Sequence, residues 1–389
     1  MRRVSVILAG ITILICLGTV YSYSVFRVSF EQTLGINAVQ SGLPYMLALF
    51  FYAFFMPISG RFANRFPPHW ISIAGGSLMS LGWILASVSP SLLSLVLFYG
   101  VLGGTGVGIA YGMPLIVATR AFPEKPGFAL GATVIGFGLS PLITAPLVRY
   151  LTHSHGPFFA LRVMGIAFWI TTVTLSLFLR FQSPSVASHN PHSSPTTRVT
   201  TFKTQKFWLL WFFFFIGTFV GLTTIGMTTS IAREIVGLTH QTATLSVSLF
   251  ALFNGLSRPL FGYLVDHYPF RIVASLSYFL LSLGLLFFLL FPNQPLVYFF
   301  SIALLWMNLG AWLAIAPSAT LRFFGAETYA QNYGLLFTAY GASALSGTFF
   351  SSLLRDLTGS YMTIFLVNLL LVLLGFSFLW TFLKEGQHP

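Results

Sequence analysis

The chain has 389 residues, of which 56% are hydrophobic and 7% charged, and its formal net charge is +12. A water-soluble domain carries roughly a quarter of its residues as charges, so this composition excludes a soluble fold and points to an all-α polytopic membrane protein. The basic excess would suggest nucleic acid in a soluble chain, but loop topology accounts for it here. The single cysteine, Cys16, excludes an internal disulfide and a thiolate metal site.

A bilayer core takes about 20 apolar residues per helix, and twelve segments of that kind follow one another. Span 1, Val4–Phe26, comes after Met1, Arg2 and Arg3. No Ala-x-Ala-like site follows it, so it reads as a retained helix and not a signal peptide. Cys16 sits inside it as a small core hydrophobe. Arg27 and Glu31 are spaced i,i+4 at its outer end. That spacing reads as a solvated ion pair, with an outer gate or anion-attracting vestibule as the alternative.

Span 2 is Val39–Phe62 and span 3 is Trp70–Val88. Span 4, Leu92–Thr119, carries Gly100, Gly103, Gly104, Gly106, Gly108 and Gly112. Glycines within a helix let neighbours approach closely; a phosphate cradle would need them in a loop that opens a helix. Arg120, Glu124 and Lys125 read as latches in the turn to span 5, Phe128–Leu151, and span 6 is Phe158–Phe181. Residues 182–205 are rich in Ser, Pro, Thr, His and Asn. With no apolar period they read as a cytoplasmic linker, between an N-terminal six-helix bundle (1–181) and a C-terminal one (206–389).

Span 7 is Phe207–Ile231. Span 8, Thr242–Val265, holds Arg258 in a run that is otherwise uncharged from Ser246 to Gly262. A guanidinium there costs at least ~2.5–3.5 kcal/mol unless a partner or water relieves it. The acidic residues Glu31, Glu124, Glu234, Asp266, Glu327, Asp356 and Glu385 all fall at span ends, in loops or in the tail. The missing anion is then expected from outside, as substrate. The competing reading is snorkelling toward the interface, where the head would meet water or Asp266. Asn254, one turn earlier, either orients the guanidinium or bonds a neighbouring helix. Spans 9 to 12 are Ile272–Phe291, Leu296–Leu321, Asn332–Leu354 and Tyr361–Leu383. Asn332 and Tyr333 are expected to stabilise the cytoplasmic end of span 11. Tyr21, Tyr111 and Tyr340 are candidate phenol donors to a carboxylate, although aromatics abundant in every span also serve as packing.

The halves look duplicated. Gly60-Arg-Phe-Ala-Asn64-Arg follows span 2 much as Gly262-Tyr-Leu-Val-Asp266-His follows span 8, and Pro114 and Pro317 sit late in spans 4 and 10. Such a repeat places a substrate site near the midplane. With the N-terminus inside, Arg2, Arg3, Arg61, Arg65, Arg120, Lys125, Arg180, Arg198, Lys203, Lys206, Arg271, Arg322 and Lys384 face the cytoplasm. Arg27, Arg149, Arg162, Arg233 and Arg355 face outward, and Arg258 alone is assigned to the membrane interior. This basic bias puts both termini in the cytoplasm. A prokaryotic plasma membrane is the expected location.

Several strings resemble a known family: Gly18-x-x-Tyr21-Ser-x-Ser24, Gly104-x-Gly106-x-Gly108-Ile-x-Tyr111, Phe122-Pro-Glu-Lys-x-Gly127, Phe207-Trp-x-Leu-Trp211, Asn254-Gly-x-x-Arg258-Pro-x-x-Gly262-x-x-x-Asp266 and Gln331-Asn-Tyr-Gly334. With them nearly the whole chain resembles the major facilitator superfamily. Within it the likeness is to the oxalate:formate antiporter family, related to monocarboxylate transporters. The resemblance implies twelve transmembrane helices in two rocking six-helix bundles and transport of small carboxylates by alternating access, with Tyr21, Tyr111 and Arg258 lining the site. Three positions depart from the oxalate-carrying members. Tyr340 stands where they have a lysine, Phe137 where a site aromatic falls, and Leu309 where they have a tryptophan. Asn254 stands where proton-coupled monocarboxylate carriers have aspartate, and Asn64 replaces the usual loop aspartate.

A lone arginine suits a monoanion, which it grips with two parallel hydrogen bonds. A proton symporter needs a titratable group on the path, and no acid or histidine maps to a span interior. The expected function is therefore exchange or uniport of a small monocarboxylate. A proton-coupled monocarboxylate symporter and a broader organic-anion or drug carrier are the alternatives. An enzyme is not expected: the spans contain no His-Glu-x-x-His, paired aspartates or Ser/His/Asp set. No cofactor, metal or nucleic-acid partner is expected, and the protein is expected to act as a monomer in the lipid bilayer.

Overall fold

A computed structural model describes residues 2–63, 65–122, 126–180, 204–325 and 329–382. Among these the chain forms twelve helical rods and no strand. Inside a bilayer no water is available to backbone groups, so each rod must satisfy its own. The rods are α1 (Arg3–Leu34), α2 (Ala38–Phe62), α3 (Pro68–Val88), α4 (Leu92–Ala121), α5 (Pro126–His155) and α6 (Pro157–Leu179). The second set is α7 (Gln205–Glu234), α8 (His240–His267), α9 (Phe270–Leu290), α10 (Pro295–Phe324), α11 (Tyr329–Leu336 and Thr338–Thr358) and α12 (Met362–Phe382).

Rod ends carry the expected punctuation. Pro68, Pro157 and Pro295 open α3, α6 and α10, where a missing N–H is harmless. Asn37 and Gln40 form a reciprocal capping box at the start of α2. Of the expected linker, residues 182–203 lie outside the described residues; Thr204 instead caps α7, accepting from the Phe207 amide. The expected loop latches Glu124 and Lys125, together with Asn64, Glu327, Lys384 and Glu385, also lie outside them.

Ten of the rods are long and apolar enough to cross a membrane by length and composition; α8 and α11 are not among them. Their buried faces carry Ser246, Ser248, Asn254, Ser257 and Arg258 in α8, and Ser343, Thr348, Ser351 and Ser352 in α11. Those faces meet protein and not lipid. The two bundles, α1–α6 and α7–α12, join along α5 against α8 and α2 against α11, with α1 touching α7.

Several rods depart from plain α-helix: α6 ends in a 3-10 turn at Leu177–Leu179, and α11 breaks at Phe337. In α1 the helix tightens to 3-10 geometry over Gly18–Ser22 and then runs on to Leu34, carrying Arg27 and Glu31 inside the rod. In α4 the segment Leu95–Gly103 is π-helical. Immediately after it, Gly104 lies against the Ala48 backbone of α2, and Gly106 against the Met79 backbone of α3. Any side chain at either glycine would collide, and one at Gly108 would meet the Tyr52 backbone, so these glycines form a packing surface, whereas Gly112 faces open space and does not share that role.

Candidate functional site

The site grows from Arg258 on α8. It is only 4% exposed. Its Nη1 donates to the Val134 carbonyl of α5 across the bundle interface at 3.0 Å, and its Nη2 to Asn254 Oδ1 at 3.3 Å. Its Nε has no partner. Among the described residues no carboxylate lies within ion-pair distance of this guanidinium. Asp266 is exposed at the end of α8, so the snorkelling alternative, with Arg258 reaching interfacial water or that acid, does not describe this structure. Asn254 does both things considered for it: Oδ1 steadies the guanidinium, while Nδ2 donates to the Trp306 carbonyl of α10 at 3.0 Å.

Gly138 on α5 makes this arrangement possible. A Cβ there would fall 2.8 Å from Asn254 Oδ1 and 3.1 Å from Arg258 Nε. The absent side chain admits the guanidinium to the opposite bundle.

An aromatic cluster adjoins the arginine. The Tyr21 hydroxyl meets the Tyr340 hydroxyl at 2.9 Å, joining α1 to α11. Tyr21 also lies within electrostatic reach of Arg258. Phe137, next to Gly138, sets its ring edge-on to Tyr21 at 5.1 Å and to Tyr111 at 5.3 Å. All four of these rings are buried. The structure thus brings together Arg258, Asn254, Tyr21, Tyr111, Phe137 and Tyr340.

Two further rings complete the cluster without any motif that marks them in the sequence. Tyr52 of α2 stacks on Phe137 and stands edge-on to Tyr111 and Tyr340. Phe337, at the break in α11, stacks on Tyr340 at 4.8 Å. Its signal was its spacing: three residues before Tyr340, it shares that residue's helix face. Leu309 is buried on α10 against Gly221 of α7. Tyr333 sets its ring edge-on to Phe337, and Asn332 is buried.

Arg27 requires a correction. The expected solvated ion pair is not what forms, and Arg258 is not the one arginine in the interior. Arg27 is fully buried. Its Nε donates to Glu31 and to Ser41 Oγ, and its Nη2 to the Ala38 carbonyl at 2.7 Å. It also crosses to the other bundle, reaching the Gly226 carbonyl of α7 at 3.4 Å and Ser352 Oγ of α11 at 3.2 Å. Only Glu31 stays partly open, at 24% side-chain exposure.

Known proteins bear on this arrangement. The sequence profile of the Major Facilitator Superfamily matches residues 8–321 and, separately, 216–389. The oxalate:formate antiporter of Oxalobacter formigenes is 27% identical over 347 residues, covering 86% of this chain and 81% of that protein. Monocarboxylate transporter 12 of Rattus norvegicus is 24% identical, covering 94% and 81%. In three dimensions a D-xylose–proton symporter superposes with a TM-score of 0.79 over 100% of this chain and 99% of its own. At 13% identity that likeness speaks for the fold alone. Twelve rods in two six-helix bundles, joined around a buried charge and matched by the profile over residues 8–321 and again over 216–389, place the chain in the Major Facilitator Superfamily: it is a membrane transporter and not an enzyme.

Proposed function

We propose that the protein carries small monocarboxylate anions across the membrane by alternating access, as an exchanger or uniporter, with Arg258 as the carboxylate receptor. The observation that carries this reading is a buried guanidinium with an unpartnered Nε and no acid beside it among the described residues. Its present partners are a carbonyl and a carboxamide, which leave its charge uncompensated. One carboxylate neutralises it and uses its planar fork. The Tyr21 and Tyr340 hydroxyls, now bonded to each other, are phenol donors for the same anion. Phe137, Tyr111 and Tyr52 form apolar walls that suit a small organic acid. The names of the two relatives described above agree with a carboxylate substrate.

A single positive charge favours a monoanion over a dianion, which would leave one negative charge in the same dry site. Tyr340 supplies a neutral hydroxyl where a second cation would be needed. Exchange follows from the empty state. A closed, unoccupied carrier must bring the bare guanidinium through a low-dielectric passage, and substrate removes that cost, so the loaded form crosses more readily. Residues 1–181 and 206–389 act as the two rocking units around a linker at 182–205. Both termini lie in the cytoplasm of a prokaryotic cell, and the monomer is the working unit.

Counterflow in proteoliposomes tests the proposal. Vesicles loaded with an unlabelled small monocarboxylate should accumulate the labelled acid transiently, with or without a pH gradient. Uptake that demands a pH gradient and shows no counterflow assigns proton symport instead.

A further inference from the structure

At the end of the rods away from the termini, two charged side chains cross the bundle interface in opposite directions. Arg27 of the first bundle reaches Gly226 and Ser352 of the second. Asp356 of the second bundle reaches back, accepting from the Ala38 and Val39 amides at 3.3 and 3.0 Å. Those are the first free N–H groups of α2, where a carboxylate is favoured by the helix dipole. Across the interface each charge meets neutral donors or acceptors, not the other charge.

We propose that Arg27 and Asp356 form a two-part outer gate that holds the carrier closed on that side. The inference rests on the alternating-access reading and on the orientation given above. The parts differ in kind. Arg27 is a dry latch. Three of its bonds, to Glu31, Ser41 and Ala38, stay within its own bundle and keep it aimed; the two that cross are the ones that must break. Asp356 is a wet latch, exposed at the rim, where water replaces the α2 amides as the bundles part. Its neighbour Arg355 is tied to Glu234 of α7 by bonds of 2.9 and 2.7 Å. That tie braces the end of α11 against its own bundle, so α11 moves with α7. Beneath the gate, one turn before Arg27, Ser24 accepts from Thr229 across the same interface at 3.2 Å and is buried. Opening the gate exposes it.

Ser24 therefore reports on the gate. In a Cys16→Ser background, Ser24→Cys is labelled by a membrane-impermeant maleimide applied to intact cells and, separately, to inside-out vesicles. Ser352→Ala, which removes one crossing acceptor, and Asp356→Asn, which removes the wet latch's charge, should each raise labelling from the cell exterior several-fold. Arg162→Gln, on α6 and bonded to Ser87 within the first bundle, should leave it unchanged. Unchanged labelling in both gate variants, with melting temperatures equal to the parent, overturns the proposal; so does a rise seen only in inside-out vesicles. The assay contains no substrate, so the gate result stands apart from the identity of the cargo.

Discussion

The hydroxyls of Tyr21 and Tyr340 share a 2.9 Å hydrogen bond that joins α1 of one bundle to α11 of the other, with Phe137 edge-on to Tyr21 and Phe337 stacked on Tyr340. Tyr21 lies within electrostatic reach of Arg258, and in the proposed cycle both phenols turn toward the bound carboxylate. Removing one hydroxyl by Tyr340→Phe removes a hydrogen bond to a charged group, worth about 1.5–3 kcal/mol. The affinity for a monocarboxylate should fall by roughly ten- to a hundredfold, read by titrating purified protein. Tyr340→Lys places a second cation in the same cluster. It should shift preference toward a dicarboxylate, measured as the ratio of the two affinities, and a ratio that does not move would remove Tyr340 from the site.

Arg258 should prove irreplaceable in charge and in shape. Arg258→Gln should abolish anion transport in proteoliposomes while the protein still folds, because the substitution removes a buried charge that has no acidic partner among the described residues to leave behind. Arg258→Lys keeps the charge but loses the planar fork, so partial transport at higher KM is expected. Full activity in the glutamine variant would show that the guanidinium is structural.

Asn254 lies one turn from Arg258 and already touches its Nη2. In Asn254→Asp, an ionised carboxylate would neutralise the guanidinium and compete with substrate for it. Protonating that carboxylate restores the free receptor. Uptake by the variant should therefore be weak at high pH and rise as pH falls through the carboxylate's titration, while the parent changes less over the same range. Initial rates across pH, with parent and variant side by side, check the sign.

Gly138 is the least conspicuous residue of the site. Gly138→Ala forces a methyl against Arg258 Nε and Asn254 Oδ1, and overpacking of this kind costs typically 1–3 kcal/mol. The expected result is a lower melting temperature together with weaker monocarboxylate binding. A variant that binds as tightly as the parent would mean that the guanidinium does not need the α5 surface.

Much of the fold could be read from hydropathy, since each rod must present some twenty apolar residues to lipid. α8 and α11 are less apolar than the other rods because their polar faces are buried in protein: Ser248, Arg258 and Ser352 reach the other bundle, while Ser246 and Ser343 bond within their own. That is also why Arg258 stood out in an otherwise uncharged run. Arg27 could not be read in the same way. An arginine four residues before a glutamate looks identical on a lipid-facing, solvated or buried surface, and its other partners lie on α2, α7 and α11, far away in sequence. Tyr52 and Phe337 were hidden by abundance: with 43 phenylalanines and 15 tyrosines, ring identity alone distinguishes nothing. Gly138 was silent because its role is the space it leaves.

The central claim, that Arg258 waits for a visiting carboxylate, is tested most directly by thermal shift. Purified parent and Arg258→Gln are each melted with a series of small monocarboxylates and with the matching neutral amides. A ligand held by the folded state at about a hundred times its Kd stabilises that state by about 2.7 kcal/mol. The account predicts that one or more monocarboxylates raise the melting temperature of the parent, that the amides do not, and that the shift vanishes in Arg258→Gln. A carboxylate shift of equal size in both proteins would contradict it.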